Sequence, residues 1–346
     1  MMKPKTFPVL LFLVLIFNRA AADSLKVVTI NVWSGLDYIG SLKMGEYESA
    51  EIREQRYQIL LQQIRELDPD VIALNEANKL PRYARRIARD LNADQLHHLG
   101  VAGIHIGPLG LPLNLREGDV ILAKKDLNLQ SAGRRQLSGG YVGRFFTFHF
   151  ADATQVIGAT IEFAGQTIYL FNTHWHASRY ANRATLEKIT QQYLEGEIGD
   201  DQYLNIVTDA VEGKKWRLGE ARRTIEFINK TAAQNPAILM GDFNDLIDSD
   251  PIRMLRESGF IDSYSQVNRE PGPTWDERLN RNIRLHYLTE IPSPENARRD
   301  RIDYIFFRGQ PLKVRRSEVV LNKVADNLHP SDHFGVMTIF DIGEQP

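Results

Sequence analysis

Polar side chains that could bind a cation and contact a phosphate close several apolar, strand-like runs of the chain. They are Asn31, Glu76, His174, and the pair Asp242 and Asn244. Mg²⁺ takes oxygen ligands, usually one or two carboxylates together with water and substrate phosphate. Asn31 and Glu76 are therefore candidate metal ligands, and Asp332 is a further carboxylate that could lie near the metal.

Two later runs begin, rather than end, with titratable residues, namely Asp303 and the pair Asp332–His333. Hydrolysis needs a base with a pKa near neutrality, and histidine meets that requirement. His333 is the candidate base, and Asp303 is the candidate group that fixes its tautomer and stabilises the imidazolium. Charge that develops on phosphoryl oxygens calls for neutral or cationic donors, a role that Asn244 and His174 fit.

Each of these residues also has an ordinary structural interpretation. Asn31 could cap a strand end, Glu76 could be a solvated loop carboxylate, and His174 could be a surface histidine. The segment 241–244 could be a tight turn, since Gly, Asp and Asn favour turns. It is the joint order of these residues, rather than any one of them, that indicates a hydrolytic site.

Short apolar runs rich in β-branched residues predict the strands that would position these side chains. The runs are 25–33, 71–75, 119–123, 155–163, 167–173, 237–241, 302–307 and 335–341. Apolar residues at near-helical spacing predict helices at 50–67 and 215–230. The polar, helix-like segment 178–214 is interpreted as an insertion above the rim. If the last two strands run antiparallel to the others, all the candidate residues meet at one rim of a single α/β domain.

The first 22 residues have the layout of a secretory signal peptide. Lys3 and Lys5 precede an apolar run over 7–17, and Ala20–Ala22 offers a small-residue cleavage site. The alternative is a transmembrane anchor, but a spanning helix needs about 20 apolar residues. We therefore expect a secreted or periplasmic protein whose mature chain, 23–346, forms one catalytic domain and acts as a monomer.

Composition restricts the classes of chemistry and partner. The chain of 346 residues has no cysteine, which excludes disulfides, thiolate metal sites and a cysteine nucleophile. Removal of residues 1–22 would leave 39 basic and 44 acidic residues, a formal net charge of −5. Proteins that hold duplex nucleic acid by neutralising its phosphates are usually basic. The charge therefore weighs against a nuclease without excluding one.

Motifs along nearly the whole mature chain resemble the endonuclease/exonuclease/phosphatase superfamily, which includes pancreatic deoxyribonuclease, apurinic endonucleases, inositol polyphosphate 5-phosphatases and neutral sphingomyelinases. The matching segments are TINVWSG at 29–35, VIALNEAN at 71–78, LFNTHW at 170–175, ILMGDFND at 238–245, RIDYIFFR at 301–308 and SDHFGVMT at 331–338. The resemblance implies a DNase I-like fold, a four-layer α/β sandwich of two packed mixed sheets flanked by helices. It also implies one metal-assisted site that uses Mg²⁺, with Mn²⁺ as another candidate ion.

The resemblance also assigns roles by position. Asn31 and Glu76 match metal ligands, and Asp332 matches a second acid near the metal. In the same way Asp242 and Asn244 correspond to the pair that contacts the phosphate and the leaving group. The orienting acid and the base are matched by Asp303 and His333, and the phosphate-contacting histidine by His174.

The substrate is indicated by weaker features. The segment Pro273–Asp276, followed by Asn280 and by 301–305, resembles neutral sphingomyelinases, as does 116–122. Alternatively, Trp275 is a packed loop aromatic common to several branches of the superfamily. We expect a sphingomyelinase-type phospholipase C that releases phosphocholine, with Trp275 or Tyr287 as side chains that could enter a lipid surface. A secreted DNase I-like endonuclease acting on nucleic acid and a phosphomonoesterase are the alternatives.

Overall fold

The computed structural model describes residues 23–143, 145–148, 153–288, 292–294 and 296–343, so the predicted signal peptide at 1–22 lies outside the described residues. Along the chain the elements are β1 (Asp23–Asn31), α1 (Ala50–Leu67), β2 (Val71–Asn78), α2 (Arg82–Leu91), β3 (Ala93–Val101), β4 (Ile104–Ile106), β5 (Leu109–Leu111), β6 (Glu117–Lys124), β7 (Gln130–Gln136), β8 (Phe146–Thr147), β9 (Gln155–Phe163), β10 (Gln166–His174), α3 (Arg183–Leu194), α4 (Asp200–Ala232), β11 (Ala237–Asp242), α5 (Asp250–Glu257), β12 (Ile261–Asp262), α6 (Ser263–Val267), β13 (Trp275–Asp276), α7 (Arg281–His286), β14 (Arg299–Asp300), β15 (Asp303–Arg308), β16 (Leu312–Val320) and β17 (Gly335–Ile342).

Two mixed sheets contain the longer strands. The first has the order β16–β17–β1–β2–β6–β3, and the second has the order β12–β15–β11–β10–β9–β7. β1 runs parallel to β2 and antiparallel to β17. Likewise, β10 runs parallel to β11, which is antiparallel to β15. The condition for a shared rim, that the last two site-bearing strands run antiparallel to the others, is therefore met.

The inner faces of the two sheets pack against each other in an apolar core. Val27 and Ile121 of the first sheet share this core with Ile157, Ile238 and Ile305 of the second. Apolar side chains of both sheets alternate between this core and the outer faces, as the two-residue period of a strand requires.

Helices cover the outer faces. Leu60 and Ile64 of α1 pack on the first sheet, and Ala221 and Ile228 of α4 pack on the second. Helix α1 begins where the Ser49 hydroxyl accepts a hydrogen bond from the backbone N–H of Ile52. These layers confirm the predicted four-layer α/β sandwich.

The helical region after β10 differs in detail from the expectation. Helix α4 is continuous from Asp200 to Ala232, so the helix expected at 215–230 begins much earlier and takes up the second half of the segment 178–214. The outer half of α4 carries only a short apolar stripe, Tyr203, Val207 and Ala210, among polar and charged residues, which gave a weaker helical signal than the buried half. None of the helices among the described residues is long and apolar enough to cross a bilayer.

Candidate active site

The two sheets bring the predicted polar residues to one rim. β1 ends at Asn31, β10 ends at His174, β11 ends at Asp242, and β15 begins at Asp303. Glu76 lies near the carboxyl end of β2, within the irregularity where the register against β6 shifts between Leu74 and Ala77. Hydrogen bonds and short contacts then connect the predicted set: Asn31, Glu76, His174, Asp242, Asn244, Asp303, Asp332 and His333.

Glu76 and Asn31 meet where the two parallel strands end. The Asn31 Nδ2 donates to Glu76 Oε1 at 2.9 Å and to Asp242 Oδ2 at 3.1 Å. The other oxygen of Glu76 accepts the backbone N–H of Ser34 at 3.0 Å. Glu76 has a positive φ of 53°, an uncommon conformation for a residue with a side chain. The irregularity in β2 thus turns the Glu76 carboxylate towards Asn31 and Asp242, and away from the regular alternation of the strand.

His333 lies between two buried aspartates. Its Nδ1 is 2.8 Å from Asp303 Oδ2, and its Nε2 is 3.8 Å from Asp242 Oδ2. Asp303 is fully buried, and its backbone N–H donates to the Thr274 hydroxyl at 3.2 Å. Burial by itself would lower the pKa of His333, but Asp303 and Asp242 outweigh it and hold that pKa well above its usual value. The pair can therefore fix one tautomer and stabilise an imidazolium.

His174 lies beside Asp242 and Asn244. The Asn244 Nδ2 is 3.1 Å from His174 Nε2, which in turn lies 3.6 Å from Asp242 Oδ2. Burial would lower the pKa of His174, but the carboxylates of Asp242 and Glu76 lead a group of acids that raises it to about 9. These acids favour the imidazolium form, which suits a donor to phosphate oxygens.

The segment 241–244 leaves the extended conformation of β11. Two residues apart on a strand, Asp242 and Asn244 would point the same way, but Asn244 has a φ of 49°. Its backbone N–H donates to Asp242 Oδ1 at 2.9 Å, which makes the segment a tight turn. An extended reading of this segment is therefore wrong, and the turn itself brings both side chains to the site.

Asp332 faces the other side of the site. Its Oδ2 accepts the Tyr287 hydroxyl at 3.2 Å, and its Oδ1 accepts the Ser331 hydroxyl at 3.1 Å. The same Ser331 hydroxyl is 2.7 Å from the backbone carbonyl of Asn31, so Asp332 is tied to the end of β1. Burial and the nearby charge of Glu76 raise the pKa of Asp332 to about 6, while His333 opposes that rise.

Sequence reasoning missed a buried polar network beneath these residues. Asn75 donates to Asp119 Oδ1 at 2.7 Å and to Asn172 Oδ1 at 3.0 Å, and its own Oδ1 accepts the backbone N–H of Asp242 at 3.0 Å. Asp119 also accepts from the Gln155 amide. Polar residues inside otherwise apolar strands were the available signal.

Trp275 does not take the position expected of a lipid-entering side chain. Its half-buried ring packs edge-on against His333, with the centroids 5.2 Å apart. The Trp275 ring therefore lines the site and packs against its histidine. Tyr287 remains 42% exposed beside it, with the two ring centroids 5.9 Å apart.

The donor set fits a divalent cation. The predicted ligands Glu76 and Asp332 offer carboxylate oxygens, the atoms that hard cations prefer. The Asn31 Oδ1 accepts the backbone N–H of Trp33, so Asn31 would offer its amide oxygen to a metal only after its amide turns over. A second grouping also exists, since ligand atoms of Asp242, Asp303 and His333 all lie within 4.8 Å of one another. His333 already pairs with Asp303 through Nδ1, so this grouping would hold a metal only at the expense of that pair. We therefore favour the oxygen-rich set.

Known structures share this fold at low sequence identity. An endonuclease/exonuclease/phosphatase from Bacteroides vulgatus is 16% identical with a TM-score of 0.59, covering 93% of this chain and 100% of its own. D. rerio TDP2 complexed with a single-strand DNA product is 18% identical with a TM-score of 0.57, covering 92% and 98%. The human Nocturnin catalytic domain with a bound sulfate anion is 15% identical with a TM-score of 0.57, covering 92% and 94%.

Sequence comparison identifies a family rather than a near relative. No curated protein matches the chain. The sequence pattern of the Endonuclease/Exonuclease/phosphatase family matches residues 28–333, a span that includes every residue of the site described above. The chain belongs to the endonuclease/exonuclease/phosphatase family.

Proposed function

We propose that this protein is an exported, Mg²⁺-dependent phospholipase C-type enzyme that hydrolyses sphingomyelin to ceramide and phosphocholine. The family assignment indicates a hydrolase of phosphate esters. The observation that favours a choline headgroup is an aromatic cluster next to the catalytic rim, formed by Trp33, Tyr47, Trp275, His286 and Tyr287.

Partly open ring faces of this cluster lie beside a carboxylate. Tyr47 and Tyr287 are 41% and 42% exposed, and the Tyr287 hydroxyl donates to Asp332. The Tyr287 ring is inclined by 67° to Tyr47 and by 42° to Trp275. Aromatic faces that point in different directions suit a compact quaternary ammonium, whereas a flat base stacks best on one face or between parallel ones.

A cation already uses one of these rings. The Arg298 guanidinium lies 5.5 Å from the centroid of Trp275 and 5.1 Å from that of Tyr180. Trp275 is therefore occupied on the side of Arg298, and Tyr47 and Tyr287 are the more exposed tyrosines of the cluster for a ligand to contact. Electron-rich ring faces near Asp332 would attract a positively charged headgroup, whereas they would not stabilise the negative charge of a second phosphate, as in a nucleic acid.

Water attack on phosphorus is assigned to His333. Its Nε2 would take the proton from water, while Asp303 holds Nδ1 and stabilises the imidazolium. His333 must be neutral beforehand, although Asp303 and Asp242 favour its charged form. Cationic His174 and the amide of Asn244 would donate to phosphoryl oxygens as charge develops. The bond between phosphorus and the ceramide oxygen breaks, that oxygen takes up a proton as it leaves, and the products are ceramide and phosphocholine.

A divalent cation would be held by Asn31, Glu76 and Asp332, where it would offset the carboxylate charges and polarise a phosphoryl oxygen. Asn31 bonds to both Glu76 and Asp242, and the charge of Glu76 raises the pKa of Asp332, so acidic groups converge here and favour such an ion. Mg²⁺ is the proposed ion because the donors are oxygens. Export is proposed from the segment 1–22, and the charge of −5 that its removal would leave disfavours a long polyanion.

Product analysis at equal enzyme concentration tests this proposal. The purified protein with Mg²⁺ is given sphingomyelin in detergent micelles, phosphatidylcholine, supercoiled plasmid, RNA and p-nitrophenyl phosphate. We expect phosphocholine release from sphingomyelin to exceed plasmid nicking. His333→Ala should lower that release by at least about 10²-fold, which excludes a contaminant.

Nucleic acid is the alternative substrate in the same assay. D. rerio TDP2, a structural neighbour, is complexed with a single-strand DNA product. Robust nicking without phosphocholine release would replace the lipid proposal with a nuclease. Hydrolysis of p-nitrophenyl phosphate alone would assign the chain to the phosphomonoesterases.

A further inference from the structure

A small sheet beside the site shows the reverse of the usual burial pattern. In β4, Ile104 and Ile106 are exposed and His105 between them is buried. The paired strand β5 exposes Leu109 and Leu111, which lie directly across from Ile106 and Ile104. A solvated strand normally turns its polar residues outward. Here the outward face of the hairpin is aliphatic.

Neighbouring segments extend this face. β8 pairs with β4, which places Phe146 opposite Ile106. On the other flank the backbone N–H of Leu113 donates to the carbonyl of Leu42 at 2.9 Å. Segments 38–42, 104–113 and 145–146 therefore form one surface, which we call the apolar hairpin surface. Its most exposed side chains are Leu109 at 76%, Ile39 at 72%, Leu113 at 70% and Phe145 at 69%.

This surface is connected to the catalytic rim. The Tyr38 hydroxyl, at the start of the segment 38–42, donates to Glu117 Oε2 at 2.5 Å and lies 3.0 Å from the Ser34 hydroxyl. The backbone N–H of Ser34 in turn donates to Glu76. A substrate bound at the apolar hairpin surface would therefore lie next to the Glu76 side of the site.

The charge of the surface identifies its partner. Segments 38–42, 104–113 and 145–146 contain no Asp, Glu, Lys or Arg. A polyanion or a charged protein surface would meet no complementary group there, whereas a zwitterionic bilayer presents no net charge. Large exposed apolar patches mark interaction sites, and apolar side chains on loops and hairpins can enter the boundary between headgroups and acyl chains.

We propose that the apolar hairpin surface docks the protein on an electroneutral lipid bilayer and so presents headgroups to the rim. The proposal rests on the proposed function for the identity of the headgroup, but docking itself can be measured without hydrolysis. The aliphatic side chains enter the bilayer surface, and attachment does not depend on ion pairs.

The test uses the double variant Leu109→Glu/Leu113→Glu. The matched control is Leu194→Glu/Leu204→Glu, two exposed leucines of α3 and α4 that lie outside the surface. Binding to vesicles of phosphatidylcholine and sphingomyelin is measured by flotation with chelator present, at 0.15 M and 0.5 M salt. We expect the wild type and the control to bind equally at both salt concentrations. The hairpin variant should bind at least about tenfold more weakly, a loss of about 1.4 kcal/mol in binding free energy.

Turnover separates this proposal from the function on which it rests. The hairpin variant should lose phosphocholine release from vesicles but keep its rate on bis(p-nitrophenyl) phosphate, a soluble diester. Vesicle binding without sphingomyelin hydrolysis would refute the function and leave docking intact. Equal binding of the hairpin variant and the control, or no binding by the wild type, would overturn docking. So would a wild-type dimer in size-exclusion chromatography that the hairpin variant dissociates, because the occupant would then be a second copy.

Discussion

The two ring nitrogens of His333 have different surroundings. The fully buried Asp303 holds Nδ1 at 2.8 Å. Nε2 faces Asp242 across 3.8 Å, a distance longer than a hydrogen bond. Nε2 is therefore the nitrogen left for substrate chemistry, and Nδ1 serves to orient the ring.

Removal of this imidazole should affect turnover more than binding. For His333→Ala we expect kcat to fall by roughly 10²–10⁴-fold, with KM nearly unchanged, because a positioned proton acceptor acts in the transition state. Asp303→Asn should also lower kcat, since an amide cannot stabilise the imidazolium. Steady-state kinetics on sphingomyelin micelles measure both, and near-normal kcat in His333→Ala would move the base to another residue.

The open aromatic face of Tyr47 can be tested for headgroup recognition. Tyr47→Leu keeps an apolar side chain but removes the ring, so kcat/KM for sphingomyelin should fall by about five- to thirtyfold, the size of a cation–π contact of about 1–2 kcal/mol. The rate on bis(p-nitrophenyl) phosphate, which has no ammonium group, should stay constant. Tyr203→Leu on α4 is the matched control, and an equal loss on both substrates would argue for a structural role of Tyr47.

At the scale of elements, Asn75 joins strands of both sheets. It is fully buried at the end of β2, and it bonds to Asp119 on β6, Asn172 on β10 and the backbone of Asp242 on β11. These contacts fix how the strand ends of one sheet are positioned relative to those of the other at the rim. The positions of Glu76 and Asp242 therefore depend on a residue with no direct role in the chemistry.

Truncation of this side chain should loosen the joint between the sheets. Asn75→Ala removes the partner of Asp119 Oδ1, of Asn172 Oδ1 and of the Asp242 backbone N–H, and each buried group left unpaired costs about 1–3 kcal/mol. We expect urea unfolding to show a loss of at least that size and kcat to fall as well. Asn229→Ala on the exposed face of α4 should change stability by less than about 0.5 kcal/mol. If both variants unfolded alike, the network would not join the sheets.

At the scale of the whole molecule, several acids in and around the site are buried, which makes their ionised forms unfavourable. Burial raises the pKa of Asp119 and Asp332 to about 6 and that of Glu117 to about 8. Against the opposing effect of burial, nearby carboxylates raise the pKa of His174 to about 9. In each case the folded state binds the proton more tightly than the unfolded chain. These groups therefore stabilise the fold at acidic pH, and that contribution is lost as pH rises through about 6 to 9.

A divalent cation should oppose this loss of stability at higher pH. Without metal, the melting temperature should fall between pH 5 and pH 8, and saturating Mg²⁺ should raise it more at pH 8, where the carboxylates are ionised. Glu76→Gln should lose most of this response while remaining folded, because it removes one anionic ligand. Differential scanning fluorimetry with Mg²⁺ and with chelator measures the effect, and an equal Mg²⁺ response at pH 5 and pH 8 would contradict it.

Periodicity and residue type were enough for much of the architecture. The expected strand at 155–163 and helix at 50–67 have the same bounds in the structure, because each carries its own repeating apolar pattern. The arginine-rich helix α2 and the polar strand β7 escaped prediction, since neither carries a long apolar run. Such elements are ordered by what they pack against.

The sequence by itself determined the identity of the polar residues at the strand ends, because motif order and strand polarity are properties of the chain. Only the tertiary structure decided which atoms meet. Asn31 contacts Asp242 across 211 residues of sequence, and Asn75 reaches Asp242 across 167, distances over which no local pattern operates. The left-handed turn at Asn244 and the outward apolar face of Ile104 and Leu109 were decided there too, since both depend on what surrounds the segment rather than on its own composition.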